Sequence, residues 1–119
     1  MTPKFAKLIQ MLKSETERGK LTWVAVDDEA FRARVGDGLV RVAKGYKRSE
    51  PESGEALLIP TINIVVTGPT ARVVEDESFL EDEASYAAPE ALFQAVRRAA
   101  LNSDAVLDSM MQSLQSSAN

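Results

Sequence analysis

Arginine is the residue type whose placement in this chain suggests a chemical role. Between positions 32 and 48 stand Arg32, Arg34, Arg41, Lys44, Lys47 and Arg48, against one acidic residue, Asp37. That local balance of +5 sits inside a chain whose formal charge is −4, so the remainder carries −9 and the charge is segregated. Guanidinium groups are planar forks that grip carboxylates and phosphates through two parallel hydrogen bonds. A cluster of them points to recognition of anions, whether acidic protein surfaces or small anionic ligands.

The other residue types offer less. The chain contains no histidine and no cysteine, which removes His-assisted serine and cysteine nucleophiles, thiolate zinc sites, iron–sulfur clusters and disulfides. Six carboxylates crowd the nine positions from Glu75 to Glu83. Their spacing does not match an EF-hand loop, and the turn glycine of that loop is missing. The expectation is a solvated acidic loop without a metal. Asp27-Asp28-Glu29 reads as a turn between strands. Gly36-Asp37-Gly38 and Gly68-Pro69 lack the strand-to-helix context and the Lys-Ser or Lys-Thr of a phosphate loop. Lys44, Tyr46 and Tyr86 are single groups with no evident catalytic partner. No catalytic residue and no cofactor is assigned, and the expectation is that the protein is not an enzyme.

The elements that position the arginines follow from periodicity. With 119 residues, of which 45% are hydrophobic, the chain suits one domain with a core of its own. Phe5, Leu8, Ile9 and Leu12 recur at helical spacing, predicting an amphipathic helix from Phe5 to about Arg18 with Gly19 as its stop. From Leu21 the texture is that of strands: Thr22–Val26, Phe31–Val35, Leu39 to about Lys47, Leu57–Val66 and Ala71–Glu75. Asp37-Gly38 reads as the two-residue turn of a hairpin, and Thr67–Thr70 as the turn of a second. Pro89 opens a helix bearing Leu92, Phe93, Val96 and Ala100. Asn102-Ser103-Asp104 breaks that helix and caps a last one bearing Leu107, Met110, Met111 and Leu114. Strands grouped together with helices at both ends predict an α+β fold. It is an antiparallel meander of four to five strands, with an N-terminal helix and two C-terminal helices covering one face. Residues 1–114 form the domain and 115–119 a frayed polar tail. The four residues of the last helix, like Trp23, are expected in the core with Phe31, Val42, Ile62 and Ile64.

Strand alternation then sorts the arginines. With Asp37-Gly38 as the turn, Val35 faces Val40, Ala33 faces Val42 and Phe31 faces Lys44 on the inner side. Arg34 lies opposite Arg41, and Arg32 opposite Ala43, on the outer side. Lys47 extends that outer row. With Thr67–Thr70 as the second turn, Val66 pairs with Ala71 and Ile64 with Val73, which leaves Asn63 and Arg72 on the outer face. Tyr46 is available for stacking on a bound base.

Three readings of this face compete. It is a solvated surface or pairs with the acidic stretch; it docks a protein partner or a second copy of the chain; or it holds a small anion or nucleotide. The expected function is a non-enzymatic interaction module acting on a protein partner, as a homo-oligomer, with small-anion binding as the alternative. Its candidate residues are Arg32, Arg34, Arg41, Lys47, Asn63, Arg72 and Tyr46. An acidic total does not suit general nucleic-acid binding. No run approaches the roughly 18 apolar residues of a membrane helix, and the start of the chain lacks a secretory pattern. The expected address is the cytoplasm.

Overall fold

The hydrophobic pattern folds as a sheet with a helical layer on one side. The structure is a computed structural model that describes residues 1–52 and 54–117. Helix α1 spans Pro3–Glu17 and is followed by β1 (Val24–Asp27), β2 (Ala30–Val35), β3 (Gly38–Ser49), β4 (Leu57–Thr67) and β5 (Val73–Leu80). A short 3-10 turn at Ala84–Tyr86 leads into α2 (Ala87–Ala100) and then α3 (Ser103–Ser117). The five strands lie in sequence order, every neighbouring pair antiparallel. The fold is α+β, an N-terminal helix, a five-stranded meander and two C-terminal helices, as the grouping of the elements predicts. Among the described residues, no helix is long and apolar enough to cross a membrane.

The core lies between the inner sheet face and the helices α1 and α2. Phe31, Val42, Ile62 and Ile64 from the sheet are fully buried, as are Leu92, Phe93 and Val96 from α2, and Ile9 from α1 is nearly so. Phe31 and Phe93 join sheet to helix with ring centroids 5.9 Å apart, and Phe5 stacks on Phe79 at 6.3 Å. Both pairs fall within the range where aromatic contacts add to simple burial. Thr2 caps α1 by accepting a hydrogen bond from the Phe5 backbone N–H, 3.1 Å, and Pro3 follows as a first helical residue that needs no donor. Trp23 is buried as expected. Its Nε1–H donates to Thr16 Oγ1 at 2.9 Å, and that hydroxyl donates in turn to the Leu12 carbonyl at 2.6 Å. Thr16, the polar side chain buried in the core among the described residues, is therefore satisfied.

The β2–β3 turn differs from expectation by one position. The loop is Gly36-Asp37, closed by Val35 opposite Gly38, and Gly36 takes φ +58°. A positive φ at the first loop position is what a type II′ turn requires. Gly38 is needed elsewhere. A Cβ on it would lie 2.6 Å from the Thr67 carbonyl oxygen of β4, so β3 starts against β4 at a distance that only glycine permits. Gly38→Ala is expected to lower stability by about 1–3 kcal/mol, the range for forced overpacking, which a urea titration would read as a lower midpoint.

Moving the turn changes the partners but keeps the faces. The pairs are Phe31 with Val42, Ala33 with Val40, Arg32 with Arg41 and Arg34 with Leu39. The expected pairs Val35–Val40, Ala33–Val42, Phe31–Lys44, Arg34–Arg41 and Arg32–Ala43 do not form. Each partner shifts by two residues, and two is the period of a strand, so no side chain changes sides. The second hairpin is revised more deeply. Ile62 pairs with Phe79, Ile64 with Glu77 and Val66 with Glu75, not Ile64 with Val73 and Val66 with Ala71. The connection runs from Gly68 to Arg72, closed by Gly68 N–H to Arg72 O at 2.8 Å. Most of the expected acidic loop is therefore strand β5, and only Glu81–Glu83 continue beyond it. The core demand for Phe79 opposite Ile62 outweighs the poor strand propensity of Glu75, Asp76 and Glu77.

Two parts project from this body. The radius of gyration is 17.3 Å, against about 13–14 Å for a compact chain of this length. Beyond the reach of β2 and β5, residues 44–49 and 57–60 continue as a two-stranded ribbon that leaves Tyr46, Leu57 and Leu58 exposed. Helix α3 is the other projection. It buries no residue, so Leu107, Met110, Met111 and Leu114 do not pack on the inner sheet face as expected. The inner face is already filled by α1 and α2. The helix also continues through Ser117, so residues 115–117, expected in the tail, are helical, while 118 and 119 lie outside the described residues.

Candidate functional site

The outer sheet face is the surface on which the arginines converge. Its register can be read in rows across the strands. One row runs Val24, Arg32, Arg41, Val65, Asp76; the next runs Arg34, Leu39, Thr67; and Ala43, Asn63 and Ser78 form a third. Lys47 opposes Ile59 further along the ribbon. Because Val35 and Gly38 close a two-residue loop, hydrogen-bonded pairs alternate from there. Arg32 and Arg41 accordingly occupy a non-hydrogen-bonded position, where side chains approach most closely.

Direct opposition of two guanidinium groups is destabilising by itself. Among the described residues, none of Arg32, Arg34, Arg41 or Lys47 forms an ion pair with a carboxylate. The acidic stretch does not neutralise them. Asp76 shares their face, two strands from Arg41, but accepts a hydrogen bond from Asn63 Nδ2 at 2.9 Å. Arg32 and Arg34 are exposed and Arg41 is half-buried, so all three guanidinium groups are available to an incoming anion. The apolar residues beside them are Val24, Leu39 and Val65, with Ile59 opposite Lys47 further along the ribbon. Sequence reading assigned no role to Leu39 or Ile59, although strand alternation alone puts both on the face of the arginines.

Three of the seven candidate residues do not take part as expected. Asn63 is on the outer face, but its amide donates to Asp76 Oδ1, to Ser78 Oγ at 3.0 Å and to the Glu77 carbonyl at 3.2 Å. It ties β4 to β5 and has no donor left for a ligand. Arg72 lies in the β4–β5 connection, off the strands, so alternation does not join it to Arg34 and Arg41. Tyr46 belongs to the opposite face of β3 from Arg41 and Lys47, since it stands an even offset of four positions from inward-facing Val42. It cannot stack on a base held by the arginines.

Tyr46 instead lies near Tyr86 at the start of α2. Burial raises the pKa of the Tyr86 hydroxyl above the ordinary value of 10.0, and the charges of Glu90 and Glu81 and the neighbouring Tyr46 raise it further. A pKa raised on folding contributes stability that is complete below pH 10 and is lost as pH climbs through the higher folded value. Tyr86→Phe is therefore expected to remove one component of alkaline unfolding, seen as a flatter decline of Tm above about pH 10.

Two further places gather polar or acidic side chains. A cleft of about 600 Å³ between the ends of α1 and α2 includes Thr16, Trp23, Arg98 and Asp104 in its lining. Within it Trp23 donates to Thr16 and Arg98 Nη2 pairs with Asp104 at 2.6 Å. Along β5 the carboxylates alternate, Asp76 outward and Glu75 and Glu77 inward. Among the described residues, no three potential metal-ligating side chains gather at one point. Comparison with protein-family models, with curated proteins and with solved structures finds no match to this chain.

Proposed function

We propose that the protein is a non-enzymatic interaction module that docks an acidic surface of a partner protein on the outer face of its sheet. The observation that supports this reading is the cross-strand pair Arg32–Arg41, with Arg34 beside it, held on an uncovered face without a neutralising carboxylate among the described residues. The arrangement costs folding energy and suits a carboxylate supplied from outside. Arginines interleaved with Val24, Leu39 and Val65 also match the composition of interfaces, where Arg is enriched and apolar area is buried beside it.

Small-anion binding is the second reading, favoured by the same three guanidinium groups. It now rests on Arg32, Arg34 and Arg41, without Tyr46, Arg72 or the Asn63 amide. The two readings separate in one experiment. Wild-type protein and the Arg34→Glu/Arg41→Glu variant are compared for retention of partner proteins at two salt concentrations, and for the Tm shift caused by phosphate and by nucleotides. The docking reading expects a protein retained by wild type, released by salt and absent from the variant, with no Tm shift from small anions. A Tm shift that the variant loses favours the anion reading. Equal retention by both proteins would remove the sheet face from consideration.

A further inference from the structure

Helix α3 has a stripe with nothing on it. Val106, Leu107, Met110, Met111 and Leu114 fall within about 140° of the helix surface at 100° per residue. Together with Leu101 at the end of α2 they are 44% to 71% exposed, Leu114 the most. The helix has 15 residues, five of them serine and two aspartate. Both types are weak helix formers, and isolated helices of this length are marginal in water. Whatever holds α3 helical must cover this stripe.

We infer that the stripe is covered by a second copy of the chain, the two α3 helices packing antiparallel about a twofold axis between Met110 and Met111. Three observations select this occupant. The first is shape. Where α2 turns into α3, Leu101, Val106, Leu107 and Met110, rimmed by Arg98 and Ser103, enclose an open groove of about 370 Å³. Antiparallel pairing about that axis puts position 114 of one helix opposite position 107 of the other. The most exposed leucine of each copy then reaches the groove of its neighbour, twice per dimer, as an isologous interface requires.

The second observation is charge. All charge on α3 is negative, Asp104 and Asp108, and its last turn contains no basic residue to offset the carbonyl end of the helix. Antiparallel packing sets that end beside the positive start of the partner's α3, where Arg98, paired with Asp104 at 2.6 Å, remains 59% exposed. Parallel packing would align aspartate with aspartate. The third observation is area. Six large apolar side chains, Leu101 and the five of the stripe, are each 44% to 71% exposed on one surface, and burying such a patch on both copies approaches the roughly 1,000 Å² at which specific interfaces begin. The outer sheet face is left free, so this dimer and the docking reading stand or fall separately.

The test uses the full chain. Sedimentation velocity across a concentration series is expected to show a species of twice 13.0 kDa that dissociates on dilution. Leu114→Glu is expected to weaken it at least 100-fold, because each dimer loses two buried leucines and gains two charges at the interface. Leu114 lies outside the core, so Tm at low concentration and the near-ultraviolet signal of Trp23 report whether the variant remains folded. Orientation is read by disulfide trapping in a chain that has no cysteine of its own. Leu107→Cys mixed with Leu114→Cys is expected to cross-link, and Leu107→Cys alone is not. A monomer at every concentration overturns the inference. So does a dimer indifferent to Leu114→Glu, or self-cross-linking of Leu107→Cys, which would mean parallel helices.

Discussion

Replacing Phe31 by alanine should lower the stability of this domain by about 3–5 kcal/mol. Phe31 has no exposed surface and lies on β2 at the centre of the inner face, beside Phe93 of α2 at 5.9 Å. Its loss opens a cavity on the seam between sheet and helix, where neither layer can collapse without breaking register or helix packing. For a chain of this size the change corresponds to a fall in Tm of roughly 10–25 °C, and it is a large part of the 5–15 kcal/mol that holds a typical domain together. Phe93→Ala should match it. The double variant should cost less than the sum of the two, because both deletions empty one shared space. Thermal melts of the three variants would check both statements, and a loss below about 1 kcal/mol for either single variant would mean that the seam is not the core.

The second large effect separates stability from function. Arg41→Glu replaces a like-charge cross-strand pair by an opposite-charge one facing Arg32. The domain should gain roughly 0.2–1 kcal/mol at low salt, and less as salt rises. If the outer face docks an acidic partner, the same substitution should reduce that binding by about 100-fold or more, since it removes a cation and adds a repelling charge. A variant that is more stable and no longer binds would show that the arginine pair is kept at a cost to folding. Lower stability would show instead that the Arg41 stem covers apolar surface such as Val65, as long basic side chains often do. Chemical denaturation at two salt concentrations distinguishes these outcomes.

The legible parts of the fold were those governed by local periodicity. Phe5, Ile9 and Leu12 announce α1, and Leu92, Phe93 and Val96 announce α2, because a helix buries one face every three to four residues. The alternation of Phe31, Ala33 and Val35 with Arg32 and Arg34 assigns β2 its two sides. That assignment survived the misplacement of the turn, because a shift of two residues leaves strand faces unchanged. What failed was partner choice. Gly36 and Gly38 flank Asp37 alike in the sequence, and only the approach of Gly38 to Thr67 decides which glycine turns and which packs. Likewise Glu75, Asp76 and Glu77 read as a loop until the pairing of Phe79 with Ile62 draws them into an edge strand, where their charges guard against stray strand pairing.

Composition and spacing by themselves determined the α+β class, the sides of the strands, the lack of thiol and imidazole chemistry and the segregation of positive charge between Arg32 and Arg48. These depend on each residue's own type and its near neighbours, so one chain read in order contains them. Only the tertiary structure decided that Arg32 meets Arg41, that Asn63 is occupied by β5, that Tyr46 looks away from the arginines and that α3 is left uncovered. Each of these depends on competition for space between segments far apart in the chain. The inner face has room for α1 and α2 alone, and an apolar helix spectrum cannot reveal that its place has been taken.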